Sequence, residues 1–300
     1  MKKKTYLIAL MAMALTLGSC SDNENGIGGE TSKYITVSTS IGNMTRVATD
    51  ANGGQTFEEG DEISVYAWTG APTVAPETSE RVVNNAINKL TNGSWVSTPQ
   101  MLWKNNRDKH YFIGVYPTAA ISDLSAGEYT FDANKQTESD LLVAVNPDGL
   151  SYSADAQQTV PLTFTHVMAK LAVNLTYKNQ WGGIPTVEKV VVGNAAKEAT
   201  INYLTKVVTP STTAKEDFSL PEITENTKYV SVIIPQEEVT QLTIVIGGKN
   251  FVYDNGTPFK LESGKITTVN LEVGRDEIKL GDVKITNWED GSTFGGEALN

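Results

Sequence analysis

Side chains that could carry out chemistry are scarce in this sequence. Its 300 residues include one cysteine and two histidines. His110 and His166 each lie in a strand-like context, and a metal site or catalytic triad would require the fold to bring them together beside a carboxylate. A histidine in a strand is more often a packed or hydrogen-bonded structural residue. The sequence also lacks the Gly-x-Ser-x-Gly, Gly-x-x-x-x-Gly-Lys and His-Glu-x-x-His motifs, so we expect no enzyme activity, no metal and no cofactor.

Three further patterns have both a functional and a structural interpretation. Asp50-Ala51-Asn52-Gly53 begins like a calcium-binding loop but lacks the later oxygen ligands and the bidentate glutamate, which favours a turn. Gly26-Ile27-Gly28-Gly29 has neither the preceding strand nor the following helix of a phosphate-binding loop. Five tryptophans could stack against sugars or anchor β-sandwich cores, and their strand-like surroundings favour the core. They are Trp68, Trp95, Trp103, Trp181 and Trp288.

The N-terminus has the layout of an export signal. The basic residues Lys2–Lys4 precede an apolar run from Tyr6 to Leu17, which is shorter than the roughly 20 residues that a membrane-spanning helix needs. Leu17-Gly18-Ser19-Cys20 resembles the lipobox of bacterial lipoproteins. We therefore expect residues 1–19 to be removed as a lipoprotein signal peptide and Cys20 to become the lipidated N-terminus. The alternative is ordinary secretory cleavage beside an incidental cysteine.

Charge and composition indicate where the mature protein acts. The formal net charge is −11, which argues against binding to nucleic acid. Ser21-Asp22-Asn23-Glu24 resembles the acidic tag of surface-exported lipoproteins in Bacteroides-type bacteria. Residues 20–32 are polar and glycine-bearing and are expected to form a flexible tether. Together these features predict a surface-exposed protein of the cell outer membrane, held by the lipid at Cys20.

Alternating apolar residues predict an all-β fold. The period of two is clear at Ile35–Ile41, Ile63–Ala67, Leu171–Leu175 and Ile266–Leu271, and it predicts strands with one face on a core and the other in solvent. We expect glycine-containing turn signals to separate the later strands, at Gly182-Gly183, Gly193-Asn194, Gly247-Gly248 and Asn255-Gly256. Only Glu77–Leu90 and Glu138–Val145 could hold a helical turn or two.

The chain after the tether is long enough for two domains. The polar loop Asn146–Gln158 is the clearest interruption between its strand-rich halves. It predicts an N-terminal β-sandwich over residues 33–160 and a C-terminal one over residues 161–300. We expect the segment Val160–Leu175 to be the strand that leaves one sandwich and enters the next.

A strand followed closely by a basic residue suggests proteolytic processing. The strand-like segment Lys33–Ile41 precedes Arg46 by five residues, and Arg46 lies in a polar stretch that a trypsin-like protease could reach. Cleavage there would give a new N-terminus at Val47 and would separate residues 33–46 as a propeptide strand.

Read together, several segments resemble the fimbrillin family, the subunits of strand-assembled surface fimbriae in Bacteroides-type bacteria. The resemblance covers nearly the whole chain, and its specificity comes from the order of the motifs. They are the lipobox at Cys20, Met44-Thr45-Arg46, Phe57-Glu58-Glu59-Gly60-Asp61-Glu62-Ile63-Ser64-Val65-Tyr66, Trp95, Trp103, Tyr116-Pro117, Asp140-Leu141-Leu142-Val143-Ala144, Pro161 to Leu171, and Ile285-Thr286-Asn287-Trp288. A departure occurs at Lys135-Gln136-Thr137, where the family usually has Asp-Gln-Ser.

The resemblance implies two transthyretin-like β-sandwich domains in series and no enzyme activity. It further implies that cleavage after Arg46 opens a groove on the first sandwich, which a strand from another fimbrial subunit fills. The candidate donor is the segment Glu277–Trp288, in which Ile278, Leu280, Val283 and Ile285 alternate imperfectly.

Two other functions remain open at this point. A monomeric surface lipoprotein could bind glycan or protein ligands of a host or of other bacteria. A β-sandwich hydrolase is a third hypothesis, although the sequence offers no paired nucleophile and base. The resemblance also leaves open whether a fimbrial subunit of this kind forms the stalk, the tip or the anchor.

Overall fold

The computed structural model describes residues 33–42, 56–152 and 158–288. The signal peptide at residues 1–19, the tether at residues 20–32 and the sites at Cys20, Arg46 and Val47 lie outside this part of the chain, as does the turn at Asp50–Gly53. Those predictions therefore remain predictions.

The first eight strands lie N-terminal to residue 167. They are β1 (Thr36–Ile41), β2 (Glu62–Thr69), β3 (Val83–Thr91), β4 (Ser94–Thr98), β5 (Lys109–Tyr116), β6 (Gly127–Thr130), β7 (Leu142–Ser151) and β8 (Thr159–His166). Seven of them form one sheet in the order β1-β8-β7-β5-β2-β3-β4. β1 pairs with β8 in parallel, and the other pairs in this sheet are antiparallel.

The remaining strands follow from residue 169 onward. They are β9 (Ala169–Tyr177), β10 (Lys189–Ala196), β11 (Glu198–Asn202), β12 (Val207–Pro210), β13 (Lys215–Ser219), β14 (Glu222–Thr224), β15 (Lys228–Ile233), β16 (Gln236–Ile246), β17 (Lys249–Leu261), β18 (Lys265–Val273) and β19 (Ile278–Asn287). They build a four-stranded sheet, β13-β10-β16-β17, and a five-stranded sheet, β14-β15-β9-β18-β19. A third sheet, β12-β11-β6, includes a strand from the N-terminal half.

Helix is limited to two 3-10 turns in the described residues, at Thr78–Glu80 and Asn179–Trp181. The predicted all-β class is confirmed. The segment Glu77–Leu90 holds the first of these turns and then continues into β3, which pairs antiparallel with β2.

The seven-stranded sheet is buried on both faces at its centre. On β2, Ile63 and Val65 face an inner cluster that includes residues from β1 and β8, whereas Tyr66 and Trp68 face a second core shared with the C-terminal strands. The prediction of one solvent-facing side is therefore wrong for β2. Successive side chains of β2 do point to opposite faces, but the second face of this strand is covered by residues distant in sequence.

The transition between the two halves occurs just after β8. β8 ends at His166 in the seven-stranded sheet, and β9 begins at Ala169 in the five-stranded sheet. The expected continuous strand over Val160–Leu175 is thus two strands, separated by the buried residues Val167 and Met168. One large core is continuous across both halves. A domain boundary near residue 160 remains a prediction.

Candidate functional site

The first strand of the described residues is an edge strand that supplies core side chains. β1 pairs in parallel with β8, from Thr36 opposite Thr159 to Ile41 opposite Phe164. Immediately before it, the amide of Ile35 donates a hydrogen bond to the carbonyl of Met101 at 3.0 Å. Three apolar side chains from this segment are buried in the inner cluster of the seven-stranded sheet. They are Ile35, Val37 and Ile41, with exposed fractions of 1%, 6% and 7%.

A groove of about 650 Å³ lies between β1 and β4, which are the two edges of the seven-stranded sheet. We call it the β1–β4 groove. Its lining includes the whole of β1, Phe57, Leu90 and Trp95. The ring of Phe57 makes edge-to-face contacts with those of Trp95 and Phe164, at centroid distances of 5.3 and 5.1 Å. The groove therefore has an aromatic floor and two strand edges as its walls.

The walls of the β1–β4 groove are outer strand edges. Among the described residues, β1 has a strand partner only in β8, and β4 only in β3. The amide and carbonyl groups of an outer strand edge can pair with an added strand, and apolar pockets between them select alternate side chains. The groove thus suits binding of a strand rather than catalysis.

The predicted donor strand lies at another sheet edge. β19 pairs antiparallel with β18, and this is its only strand partner in the described chain. Its pairing register shifts once: Val269 faces Val283, and the next residue on the same side of β18, Leu271, faces Leu280. β19 therefore has one residue more than β18 in this interval, which is a β-bulge.

The bulge brings four apolar residues to one face of β19, although they do not alternate strictly in the sequence. This apolar face consists of Ile278, Leu280, Val283 and Ile285. Ile278 and Leu280 pack against the large core, but Val283 and Ile285 remain 37% and 38% exposed. The face is thus incompletely buried on its own subunit.

The structure does not bring the two histidines together. On β7, His110 is opposite Leu150, whereas His166 is opposite Leu142. Because β7 bulges beside His110, the separation is counted along β5: Leu142 is opposite Tyr116, which is six residues from His110, or roughly 20 Å at the rise of a β-strand. A site that uses both imidazoles is therefore excluded.

Each histidine has a local structural role. The backbone amide of Lys104 donates to Nε2 of the buried His110 at 3.0 Å, so Nδ1 carries the proton and donates to the carbonyl of Asp108 at 3.1 Å. Burial lowers the pKa of His110, which keeps this tautomer neutral. His166 Nδ1 lies 2.8 Å from Oδ1 of Asp140.

The tryptophans mainly serve as packing residues. Trp68 and Trp103 are buried in the two cores. Trp181 packs on Phe251 and donates from Nε1 to the carbonyl of Val273 at 2.9 Å. Trp95 and Trp288 are half-buried and lie beside β1 and β19, respectively. These contacts favour the core interpretation over a shared platform for sugars.

Within residues 33–42, 56–152 and 158–288, no group of three or more His, Cys, Asp or Glu side chains could hold a metal ion. No helix in those ranges is long and apolar enough to cross a membrane.

No sequence pattern indicates a role for Gln136, which the structure places beside β15. Its Oε1 accepts a hydrogen bond from the amide of Val232 on β15 at 2.7 Å, and its Nε2 donates to the carbonyl of Ala133 at 2.9 Å. Gln136 thereby fixes the loop before β7 against the five-stranded sheet. The partner is 96 residues away, so local sequence contains no signal for this contact.

Several solved structures from Bacteroides species have a similar fold. A candidate cell adhesion protein from Bacteroides ovatus has a TM-score of 0.64 at 18% identity, over 85% of this chain and 98% of the other. A candidate cell adhesion protein from Bacteroides uniformis gives 0.63 at 17% identity, over 79% and 95%. A fimbrial protein from Bacteroides vulgatus gives 0.50 at 13% identity, over 84% and 99%. These likenesses establish a shared fold.

No curated protein sequence matches this chain. The sequence model of the fimbrillin-like family matches residues 45–288. This range contains β2 to β19, and with them the β4 wall of the groove and the complete C-terminal strand. Because the match covers most of the sequence, the resemblance inferred from the motifs is confirmed, and the chain belongs to the fimbrillin-like family.

Proposed function

We propose that this protein is a structural or adhesive subunit of a cell-surface fimbria that assembles by strand exchange. In this proposal the chain is exported as a lipoprotein and held on the outer membrane by lipid at Cys20. Cleavage after Arg46 then frees β1, and β19 of another subunit takes its place beside β8.

The position of β1 carries the proposal. β1 supplies apolar side chains to the inner cluster but lies at the sheet edge, where one strand partner and a groove flank it. It ends at Ile41, five residues before Arg46. Burial of a side chain such as Ile35, Val37 or Ile41 contributes about 1.5–3 kcal/mol. Loss of β1 would therefore leave its position beside β8 empty and these apolar contacts unfilled. The vacated position would have a strong tendency to bind a replacement strand.

The apolar face of β19 supports the choice of donor. A strand with alternating apolar side chains can enter such a groove, because the main chain supplies hydrogen bonds and the side chains supply register. Val283 and Ile285 are more exposed on their own subunit than the buried residues of β1 that they would replace. Transfer to the groove would bury this surface, which favours exchange between subunits.

Limited proteolysis tests the proposal directly. Purified protein that starts at Ser21 is incubated with an arginine-specific protease, and the Arg46→Ala variant serves as the control. We expect a new N-terminus at Val47, followed by a ladder of oligomers on an unboiled denaturing gel. The control should remain monomeric.

The same experiment can favour the competing function. If Val47 appears and the protein remains monomeric even when concentrated, strand exchange fails for this subunit. That result would instead support a monomeric surface lipoprotein with a glycan or protein ligand.

The membrane anchor requires a separate test in cells. The Cys20→Ala variant should no longer sediment with outer membranes, whereas the unaltered precursor should resist washing. An unmodified thiol at Cys20 in membrane-bound protein, observed by mass spectrometry, would contradict the anchor.

A further inference from the structure

The end of β19 is fixed by an aromatic stack that pairing with β18 does not require. The indole of Trp288, the first residue after β19, lies parallel to the imidazole of His166, with ring centroids 3.8 Å apart and an interplanar angle of 8°. The ammonium group of Lys170 on β9 lies 4.2 Å from the centroid of the indole. The backbone amide of Trp288 also donates to the carbonyl of Gly264 at 2.9 Å.

The imidazole of His166, on which Trp288 stacks, is held by a contact with Asp140. His166 Nδ1 lies 2.8 Å from Oδ1 of Asp140, and the side chain of His166 is only 4% exposed. Trp288 also covers a small apolar cluster formed by Ala172, Val230 and Ile266. The imidazole of His166 is therefore fixed in position. The indole gains ring contact from this imidazole and apolar burial from the cluster.

His166 links the end of β19 to β8, the strand partner of β1. His166 is the last residue of β8, and β8 is the strand partner of β1. Ile41 at the end of β1 pairs with Phe164, two residues before His166. The end of β19 is thus attached to the strand from which β1 would depart.

We propose that Trp288, stacked on His166, is a latch that retains β19 on its own subunit, and that opening of this latch limits the rate of strand donation. The second part rests on the proposed function, since it assumes that β19 is the donor. Without the latch, β19 would be held mainly by one edge pairing with β18, and its apolar face is already partly exposed. Fraying would then begin at the C-terminal end of the strand and proceed toward Ile278.

Hydrogen exchange tests the latch without any cleavage. It is measured by mass spectrometry on the Arg46→Ala protein, with and without Trp288→Ala. We expect exchange in peptides that cover residues 278–287 to become about tenfold faster, which corresponds to the loss of one ring stack and one cation–π contact. Peptides from β10 and β16 should be unchanged. Trp288→Phe retains a ring and should restore much of the protection.

The outcomes separate the latch from strand exchange. Equal exchange of residues 278–287 in the Trp288→Ala and unaltered proteins would overturn the latch. Faster exchange, combined with faster oligomer growth after cleavage at Arg46, would support both parts. Faster exchange with an unchanged rate of oligomer growth would overturn the rate-limiting role. Faster exchange in a cleaved protein that never forms oligomers would support the latch and contradict the proposed function.

Discussion

The indole Nε1 of Trp95 on β4 donates a hydrogen bond to the hydroxyl oxygen of Thr39 on β1, at a distance of 3.0 Å. This bond crosses the β1–β4 groove and connects the two edges of the seven-stranded sheet. β1 is consequently held by parallel pairing with β8 on one side and by a side-chain contact on the other.

Replacement of Thr39 by valine removes this bond and nearly preserves the shape of the side chain. Because the bond is a neutral one and partly buried, we expect the free energy of unfolding to fall by about 1 kcal/mol. Chemical denaturation of the uncleaved protein measures the change. Ser40→Ala is the matched control, since Ser40 makes only an exposed hydrogen bond to Thr163. An equal loss in the two variants would show that the bond across the groove has no special role.

The strands themselves could be predicted from the sequence, but their surroundings could not. The alternation around Val37 and Val65 reflects local backbone geometry, because successive side chains of a strand point to opposite faces. The burial of Tyr66 on the other face of β2 depends on the loop before β6, where its hydroxyl accepts from the amide of Ile121 at 2.9 Å. Contacts between residues this far apart leave no periodic signal.

The contact of Gln136 with Val232 also joins residues distant in sequence, and its contribution to stability can be tested. In Gln136→Ala the amide of Val232 loses its acceptor at a partly buried edge, and such a loss costs about 1–3 kcal/mol of unfolding free energy. Thermal or chemical unfolding measures the effect. Lys135→Ala removes an exposed ion pair with Glu138 and should change stability by less than about 0.5 kcal/mol. A Gln136→Ala protein as stable as this control would contradict the role assigned to Gln136.

The bulge of β19 explains why the donor segment is difficult to recognise from its sequence. With a strict period of two, Leu280 and Val283 would point to opposite faces. The extra residue opposite Asn270 returns Val283 to the side of Leu280. A bulge is defined by pairing with a partner strand, so it becomes visible only once β18 and β19 are placed side by side.

His110 gives a prediction for the pH dependence of stability. Its pKa in the folded protein is lowered from the ordinary value of 6.5, chiefly by burial. Well above pH 6.5 the imidazole is neutral in both states and has no effect on the balance between them. As the pH falls below 6.5, the unfolded chain takes up a proton that the folded chain resists, so the free energy of unfolding decreases. The decrease ends once the pH is below the folded pKa.

The His110→Gln variant removes this contribution and retains a side chain with one acceptor and one donor. Denaturation at pH 7.5, 6.5 and 5.5 should therefore give a shallower decline in stability for the variant than for the unaltered protein. All other residues are the same in both proteins, so the difference between the two declines isolates the contribution of His110. Parallel declines would indicate that His110 accepts a proton equally well in the folded and unfolded states.

The two faces of β19 should respond differently to substitution. Val283→Asp and Ile285→Asp place a carboxylate on the apolar face at positions that are more than a third exposed, so the monomer should lose little stability. If the face enters a groove on another subunit, the same carboxylate must be buried without a partner, which is strongly unfavourable. We therefore expect cleaved Val283→Asp protein to remain monomeric on unboiled denaturing gels and in size-exclusion chromatography.

Lys284→Gln is the matched control for this pair of variants. Lys284 is the exposed residue between Val283 and Ile285, and it lies on the opposite face of the strand. Its substitution changes the net charge by one unit in the same direction, so a purely electrostatic effect would appear in the control as well. Oligomers from the Lys284→Gln protein, together with monomers from the two aspartate variants, would identify the apolar face of β19 as the surface that enters the groove. Oligomers from all three would exclude β19 as the donor, and the donated segment would then have to be sought elsewhere in the chain.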